Sequence, residues 1–126
     1  MQINDPVAVA ELEALYPLYE AALMANDAET LTRMFWASPH AMRFGVTENL
    51  YGIEEIEAFR KGRSPANLAR NVRRLDILAF GRDFGSITLE FERNVNGQMI
   101  SGRQSQVWVR FPGGWRIVSA HVSVLK

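Results

Sequence analysis

Four runs of β-type sequence in the second half of the chain are separated by short turn signals. One of these turns is Asn96-Gly97, and Asn-Gly is the strongest short-range signal for a two-residue hairpin. Strands joined by such short turns pair antiparallel, so this half of the chain predicts a sheet built from consecutive hairpins. The predicted strands cover residues 71–80, 84–93, 99–111 and 115–125.

The first half of the chain carries helix signals instead. Asp5-Pro6 is a favourable helix start, because the carboxylate can accept from free backbone N–H groups and proline needs no partner in the first turn. Apolar residues then recur at spacings of three and four, which predicts a helix to about Ala25 with Tyr19 on its buried face and a bend at Pro17. A second helix, a short strand and a third helix are predicted at 28–36, 42–46 and 53–61, so the fold class is α+β.

Length and composition limit the class of protein. The 126 residues, of which 48% are hydrophobic, suffice for one domain, residues 1–126, with a substantial core. No apolar run reaches the roughly 18 residues of a membrane helix and no secretory signal pattern is present, so we expect a cytoplasmic protein without a membrane partner. A formal net charge of zero gives no reason to bind nucleic acid. Cysteine is absent, which excludes disulfides and thiolate chemistry.

The basic and imidazole side chains bear on the choice of ligand. His40 has no histidine or carboxylate neighbour at ligand spacing, so no metal site is predicted. All basic residues except Lys61 and Lys126 are arginine, whose planar fork matches carboxylates in a bidentate way. This bias favours fixed ion pairs or an acidic ligand.

The last two predicted strands each have a valine-rich face and a mixed face of Gln, Ser, His and Trp side chains. If Arg110 lies opposite Trp115 and the pairing continues along both strands without a bulge, Gln104 lies opposite His121 on the mixed face. That face could meet water while the valine face covers the core. In the alternative, which we favour, the helices fold over the mixed face to enclose a pocket and leave the valine-rich face for a second subunit.

Six short motifs spread over nearly the whole chain form a combined pattern. They are Phe35-Trp36, Ser38-Pro39 and residues 43–46, 48–52, 102–106 and 115–123. This pattern resembles the AtzH-like group, which includes the HpxZ-like proteins, within the NTF2-like (SnoaL-like) superfamily. The resemblance implies a cone in which N-terminal helices pack on a strongly curved, mainly antiparallel β-sheet and enclose a pocket.

The same resemblance implies an activity. Proteins of this group act as homodimers on small ureido carboxylates, in oxalurate and purine catabolism or in cyanuric acid degradation, and are often encoded near an amidase. One such reaction is the decarboxylation of 1,3-dicarboxyurea to allophanate, without a metal or an organic cofactor. The implied partners are therefore a second copy bound through the convex sheet face, a small anionic substrate and an amidase.

Tyr19 and Arg43 are the predicted catalytic residues. Tyr19 matches the helix-one tyrosine of the group, and Arg43 projects from an apolar strand segment. Arg43 would bind a substrate carboxylate and lower the pKa of Tyr19, which would then donate a proton to the departing nitrogen. The structural alternatives are a core tyrosine and an ion pair between Arg43 and Glu48 or Glu90.

The remaining predicted pocket residues would bind substrate. His121 is expected as a proton carrier, Gln104 and Gln106 as groups that orient substrate amides, and Arg70 as a second carboxylate ligand. Their alternatives are a core histidine, cross-strand hydrogen bonds and a surface charge. The expected walls of the pocket are Trp36 and Trp108.

Three functions follow as hypotheses. The first is a cofactor-independent carboxy-lyase or hydrolase of N-carboxyl or ureido substrates. The second is a non-catalytic dimeric accessory of an amidase, and the third is a small-carboxylate-binding protein. A serine hydrolase is disfavoured, because no nucleophile elbow accompanies Ser123 and His121.

Overall fold

The computed structural model describes residues 1–125, and the helices and strands follow the predicted order. The helices are α1 (Pro6–Met24), α2 (Ala28–Arg33) and α3 (Ile53–Gly62). The Asp5 carboxylate accepts a hydrogen bond of 3.0 Å from the Ala8 backbone, as its position before Pro6 predicts. Helix α1 continues through Pro17, and its buried face includes Tyr19. None of these helices combines the length and apolarity needed to cross a membrane.

Six strands form one sheet with the order β2-β1-β6-β5-β4-β3. Neighbours pair antiparallel except β1 and β6, which are parallel. Asn96 and Gly97 both have positive φ, 52° and 87°, as a two-residue hairpin turn of the primed type requires. The strands are β1 (Met42–Phe44), β2 (Asn49–Tyr51), β3 (Asn71–Phe80), β4 (Phe84–Val95), β5 (Gln98–Phe111) and β6 (Gly114–Val124).

Two boundaries in the first half differ from the prediction. Helix α2 ends at Arg33 instead of continuing to Trp36, because Phe35 forms a bridge with Ile117 and the Trp36 backbone donates to the Ile117 carbonyl. Strand β2 was not predicted from the sequence. It is only three residues long and pairs with the equally short β1, so neither strand has a usable alternation of its own.

The helices cover the concave face of the strongly curved sheet, and the core lies between them. Apolar side chains from α1 meet those of β4, β5 and β6 there. The largest buried apolar contributors are Leu12, Tyr19, Leu31, Phe35, Ile56, Ile87, Leu89, Phe91, Trp108 and Ile117. Burial of this apolar layer is what holds the helices to the sheet.

A β-bulge in the last hairpin turns the side chains in the second half of β6 to the opposite face from the one predicted. Trp108 lies opposite Ile117 as predicted, but the register then shifts and Val118 has no partner on β5. Gln104 therefore lies opposite Val122, and the predicted pairing with His121 is wrong. One inserted residue sends every later side chain of a strand to the other face, because side chains alternate with a period of two.

The outer face of the sheet is consequently mixed instead of valine-rich. Val122 is buried beneath the helices, whereas His121 is exposed on the outer face beside Ser105 and Phe44. Exposed apolar side chains also lie on this face, including Phe84 and Met42, each 43% exposed. The sheet thus has an apolar concave face and an outer face of serine, charged, aromatic and aliphatic residues.

Candidate functional site

A cavity of about 230 Å³ lies between α1, α3 and the concave face of the sheet. Its lining combines one phenol, one carboxylate, one amide and four guanidinium groups with apolar walls. The polar lining residues are Tyr19, Arg43, Thr47, Glu48, Arg63, Arg70, Arg93 and Gln104. Both predicted catalytic residues therefore face one cavity.

Tyr19 projects into the cavity from the inner face of α1 and is 1% exposed. Its hydroxyl oxygen accepts hydrogen bonds from Arg60 Nη2 at 3.1 Å and from Gln104 Nε2 at 3.3 Å. Burial raises the pKa of the phenol, but the guanidinium charges of Arg60, Arg43 and Arg70 outweigh burial and lower the pKa to about 8. Tyr19 can therefore exchange a proton near neutral pH.

Arg43 reaches the cavity from β1, and its side chain is almost fully buried. Its Nη1 lies 3.3 Å from Glu48 Oε1, and its guanidinium lies over the ring of Phe59 at 5.1 Å. Of the two predicted carboxylate partners, Glu48 is the one that it contacts, whereas Glu90 lies opposite Arg103 on the outer face. The Arg43 charge is thus largely balanced by the protein itself.

Arg70 precedes β3 and is buried, so the alternative interpretation of Arg70 as a surface charge is wrong. Its guanidinium binds the Glu20 carboxylate and also donates to Gln104 Oε1 at 2.9 Å and to Tyr16 Oη at 3.3 Å. Glu20 in turn accepts from the Tyr16 hydroxyl. Arg70 therefore orients Gln104 toward Tyr19, and its own charge is already matched.

Phe91 supports two of these arginines from the sheet. It lies opposite Gly102 on β5, and its ring covers the place where a side chain on residue 102 would stand. The guanidinium groups of Arg70 and Arg93 lie 4.5 and 5.3 Å from the centre of this ring. Cation–π attraction to a buried aromatic face favours fixed positions for both groups.

Three arginines at the site were not singled out from the sequence: Arg60, Arg63 and Arg93. Within residues 1–125 none of the three has a carboxylate at ion-pair distance. The spacing of residues could have predicted that two of them face inward. Arg60 follows the buried Ile56 by four residues on α3, and Arg93 follows Phe91 by two residues on β4, so each shares the face of a buried apolar residue. Arg63 caps the end of α3 and carries no such signal.

The site has an excess of positive charge. Five guanidinium groups meet at or behind the cavity wall, and the carboxylates paired with them are Glu20 and Glu48. Burial, together with the charges of Arg60, Arg43 and Arg93, lowers the pKa of Arg63 to about 10. A bound anion would relieve this repulsion, so the cavity is suited to a small molecule that carries negative charge.

The other predicted pocket residues lie elsewhere. Gln106 and Trp108 are buried on the concave face and hydrogen-bond to each other at 3.0 Å, but the strand carries them away from the cavity, which lies at Gln104. Trp36 stacks on Phe111 in a separate surface cleft. His121 faces outward because of the bulge at Val118. In the described part of the chain no three His, Cys, Asp or Glu side chains are grouped to hold a metal ion.

Comparison with known proteins identifies two close relatives of known structure. A protein of unknown function from the DUF3225 family of Pectobacterium atrosepticum is 44% identical, with a TM-score of 0.93 over 98% of this chain and 95% of that chain. A cystatin-like fold protein from Burkholderia xenovorans is 38% identical, with a TM-score of 0.92 over 99% and 97%. None of the curated proteins matches the chain.

More distant structures share the fold alone. An NTF2-like protein with a cystatin-like fold from Novosphingobium aromaticivorans is 20% identical, with a TM-score of 0.74 over 94% of this chain and 82% of that chain. The predicted architecture of helices on a curved, mainly antiparallel sheet is thereby confirmed. The AtzH-like family model matches residues 1–126. The chain therefore belongs to the AtzH-like family, and it has the fold of the NTF2-like proteins.

Proposed function

We propose that the protein is an enzyme that acts on a small ureido carboxylate, and that it removes a carboxyl group from 1,3-dicarboxyurea to give allophanate. The main observation in support is the environment of Tyr19. This buried phenol accepts hydrogen bonds, has a lowered pKa and lies at the wall of a cavity with excess guanidinium charge. A related step in oxalurate or purine nitrogen catabolism would use the same groups.

Arg63 and Arg93 are the residues that we expect to bind the carboxylate that the substrate retains. Both line the cavity, and each has a buried guanidinium N–H group without a hydrogen-bond partner among the described residues. Arg43 and Arg70 are already paired with Glu48 and Glu20, so their charges are largely balanced, although the Nε of Arg43 also has no hydrogen-bond partner among the described residues. A carboxylate held by two arginine forks would be oriented as well as attracted.

The carboxylate that leaves would face the apolar part of the wall, formed by Leu23, Val46 and Val122. Poor solvation there disfavours the charged carboxylate relative to neutral carbon dioxide. As the C–N bond breaks, its electron pair passes to the nitrogen and carbon dioxide departs. Tyr19 donates its proton to that nitrogen, which becomes the terminal amide of the product, and the phenolate later recovers a proton from solvent.

A second function uses the same cavity without chemistry. Excess guanidinium charge by itself supports binding of a small carboxylate, so the protein would then serve as a dimeric accessory or as a ligand-binding partner of an amidase. This alternative predicts saturable carboxylate binding without turnover. It also predicts co-purification with an amidase in the accessory case.

We also propose that two copies associate through the outer, convex face of the sheet. The exposed Phe84 and Met42 on that face support a dimer, and the central outer positions of β5 include the partly buried Val107. Apolar side chains set among polar ones are typical of subunit interfaces. A dimer of this kind leaves the cavity on the opposite face of the sheet open to substrate.

The experiment measures release of carbon dioxide or ammonia, and loss of substrate, when purified protein is supplied with 1,3-dicarboxyurea generated in place and separately with oxalurate. Tyr19→Phe and Arg43→Ala are measured beside Tyr51→Phe, a matched control because Tyr51 is exposed and does not line the cavity. We expect turnover by wild type and Tyr51→Phe, and its loss in the other two variants. Folded wild-type protein without turnover of either substrate would overturn the enzymatic proposal and favour the accessory.

A further inference from the structure

Arg60 is a buried cation without a carboxylate partner among residues 1–125. It projects from α3 behind Tyr19 and is 1% exposed. Its Nη2 donates to the Tyr19 hydroxyl oxygen at 3.1 Å, whereas its Nε and Nη1 have no partner within residues 1–125. Removing an arginine from water without a counter-charge is costly, so a negative charge is expected close to it.

The Tyr19 oxygen is the group in hydrogen-bond contact with Arg60 that can carry that charge. It accepts from Arg60 and from Gln104, and in the described chain it donates to no acceptor. An oxygen that receives two N–H donors and has no acceptor for its own proton is suited to the ionised state. The contacts of Tyr19 therefore favour its ionisation.

Tyr16, one turn earlier on α1, has the opposite environment. Its ring centre lies 5.9 Å from that of Tyr19, yet its hydroxyl donates to the Glu20 carboxylate. Burial and the bond to Glu20 raise the pKa of Tyr16, although Arg70 acts in the opposite direction. Both hydroxyl groups accept from a guanidinium, but only Tyr16 has a carboxylate that accepts its proton, so the fold separates the ionisation of the two tyrosines.

We propose that Arg60 is a positioning residue that favours the ionisation of Tyr19, so that the two side chains form a phenolate–guanidinium pair once the phenol has lost its proton. The catalytic consequence rests on the proposed function: Arg60 would stabilise the phenolate that remains after Tyr19 has donated its proton. The pair itself does not depend on any substrate.

Other charges surround Tyr19 from every element packed against it, and they act in both directions. Among the guanidinium groups that lower the pKa of Tyr19, Arg60 has the largest effect, and Arg43 and Arg70 follow. The charged and titratable neighbours are Tyr16 and Glu20 on α1, Arg60 on α3, Arg63 at the cap that follows α3, Arg43 on β1, Glu48 before β2, Arg70 before β3 and Arg93 on β4.

The test is a substrate-free titration of phenolate absorbance in the near ultraviolet, with Tyr19→Phe subtracted from wild type to isolate Tyr19. We expect wild-type Tyr19 to ionise with a midpoint of about 8. Arg60→Gln should move that midpoint upward by about one to three pH units, because an opposite charge is lost. Arg60→Lys should restore part of the shift, and the matched control Arg33→Gln, at an exposed arginine, should change nothing.

An unchanged midpoint in folded Arg60→Gln would overturn the inference. If that variant does not fold, the pH titration of the Tyr19 Cζ resonance in isotope-labelled wild type is the second test. A Tyr19 midpoint at or above the ordinary tyrosine pKa of 10 in that titration would also overturn the inference. A lowered midpoint without turnover of any ureido substrate would leave the pair standing and refute the enzyme. With turnover, Arg60→Gln should shift the pH profile of kcat and leave KM nearly unchanged.

Discussion

Arg70 and Glu20 form a buried bidentate ion pair, with Arg70 Nε 3.2 Å from both carboxylate oxygens of Glu20. The Arg70 side chain is only 1% exposed, so its charge depends on this partner. The pair joins the segment before β3 to α1 and holds Gln104, which in turn donates to Tyr19. One ion pair therefore stabilises the fold and shapes the site.

Glu20→Gln is expected to lower the free energy of unfolding by about 3–5 kcal/mol, because it leaves the Arg70 charge buried without a counter-ion. Urea denaturation measures the loss. Glu29→Gln is the matched control: Glu29 is 89% exposed and pairs with Arg33 at the surface, so its loss should cost no more than about 0.5 kcal/mol. Equal effects of the two substitutions would contradict the burial argument.

The stability of the protein should depend on pH through Tyr19. The pKa of Tyr19 is about 8 in the folded protein, and that of an unperturbed tyrosine is 10.0. Between pH 8 and pH 10, Tyr19 therefore keeps its proton in the unfolded chain and loses it in the folded protein. Stability therefore rises from about pH 8 to pH 10, persists above, and is lost as the pH falls through 8. The full gain is about 2–3 kcal/mol.

Unfolding free energies of wild type and Tyr19→Phe, measured across this range, isolate the contribution. Their difference should grow with pH in favour of wild type, since other titrating groups are common to both proteins. Tyr51→Phe should show a difference that does not vary in this way. A difference between wild type and Tyr19→Phe that is constant with pH would show that Tyr19 has an ordinary pKa.

Arg63 and Arg93 should control affinity for a small dianion. Malonate is a suitable probe, and calorimetric titration measures its binding. Arg63→Gln and Arg93→Gln should each weaken binding by about 10- to 100-fold, since a hydrogen bond to a charged group contributes about 1.5–3 kcal/mol. The exposed Arg33→Gln should bind malonate as wild type does. Unaltered affinity in both cavity variants would remove these residues from the binding site.

Val107→Asp should separate the proposed dimer into monomers. Val107 lies on the outer face of β5, and a carboxylate there would be duplicated across a symmetric interface and would repel its copy. Light scattering coupled to gel filtration gives the mass. Leu18→Asp is the control, because Leu18 is exposed on α1 away from the sheet. Wild type that elutes as a monomer would refute the convex-face dimer.

Local signals in the sequence were enough for the order of the elements apart from β2 and for two residues of the cavity wall, Tyr19 and Arg43. Asp5-Pro6 sets the start of α1, Asn96-Gly97 sets a hairpin, and helical spacing places Tyr19 inside, all through interactions within a few residues. Arg43 was also placed at the cavity, because a charged residue between apolar strand residues needs a buried partner or a ligand. These predictions rest on local geometry alone.

Tertiary structure decided the rest, because it depends on residues distant along the chain. The bulge at Val118 turns His121 to the outer face of the sheet and Val122 to the inner face. A prediction that assumes strict alternation of side chains along the strand does not include this shift. Pairing of Arg70 with Glu20 and of Arg43 with Glu48 determines which guanidinium charges are balanced, and that requires α1, β1 and the segments before β2 and β3 to meet. The sequence by itself thus determined the α+β fold and supplied the arginines, and packing alone decided that Arg60 lies against Tyr19.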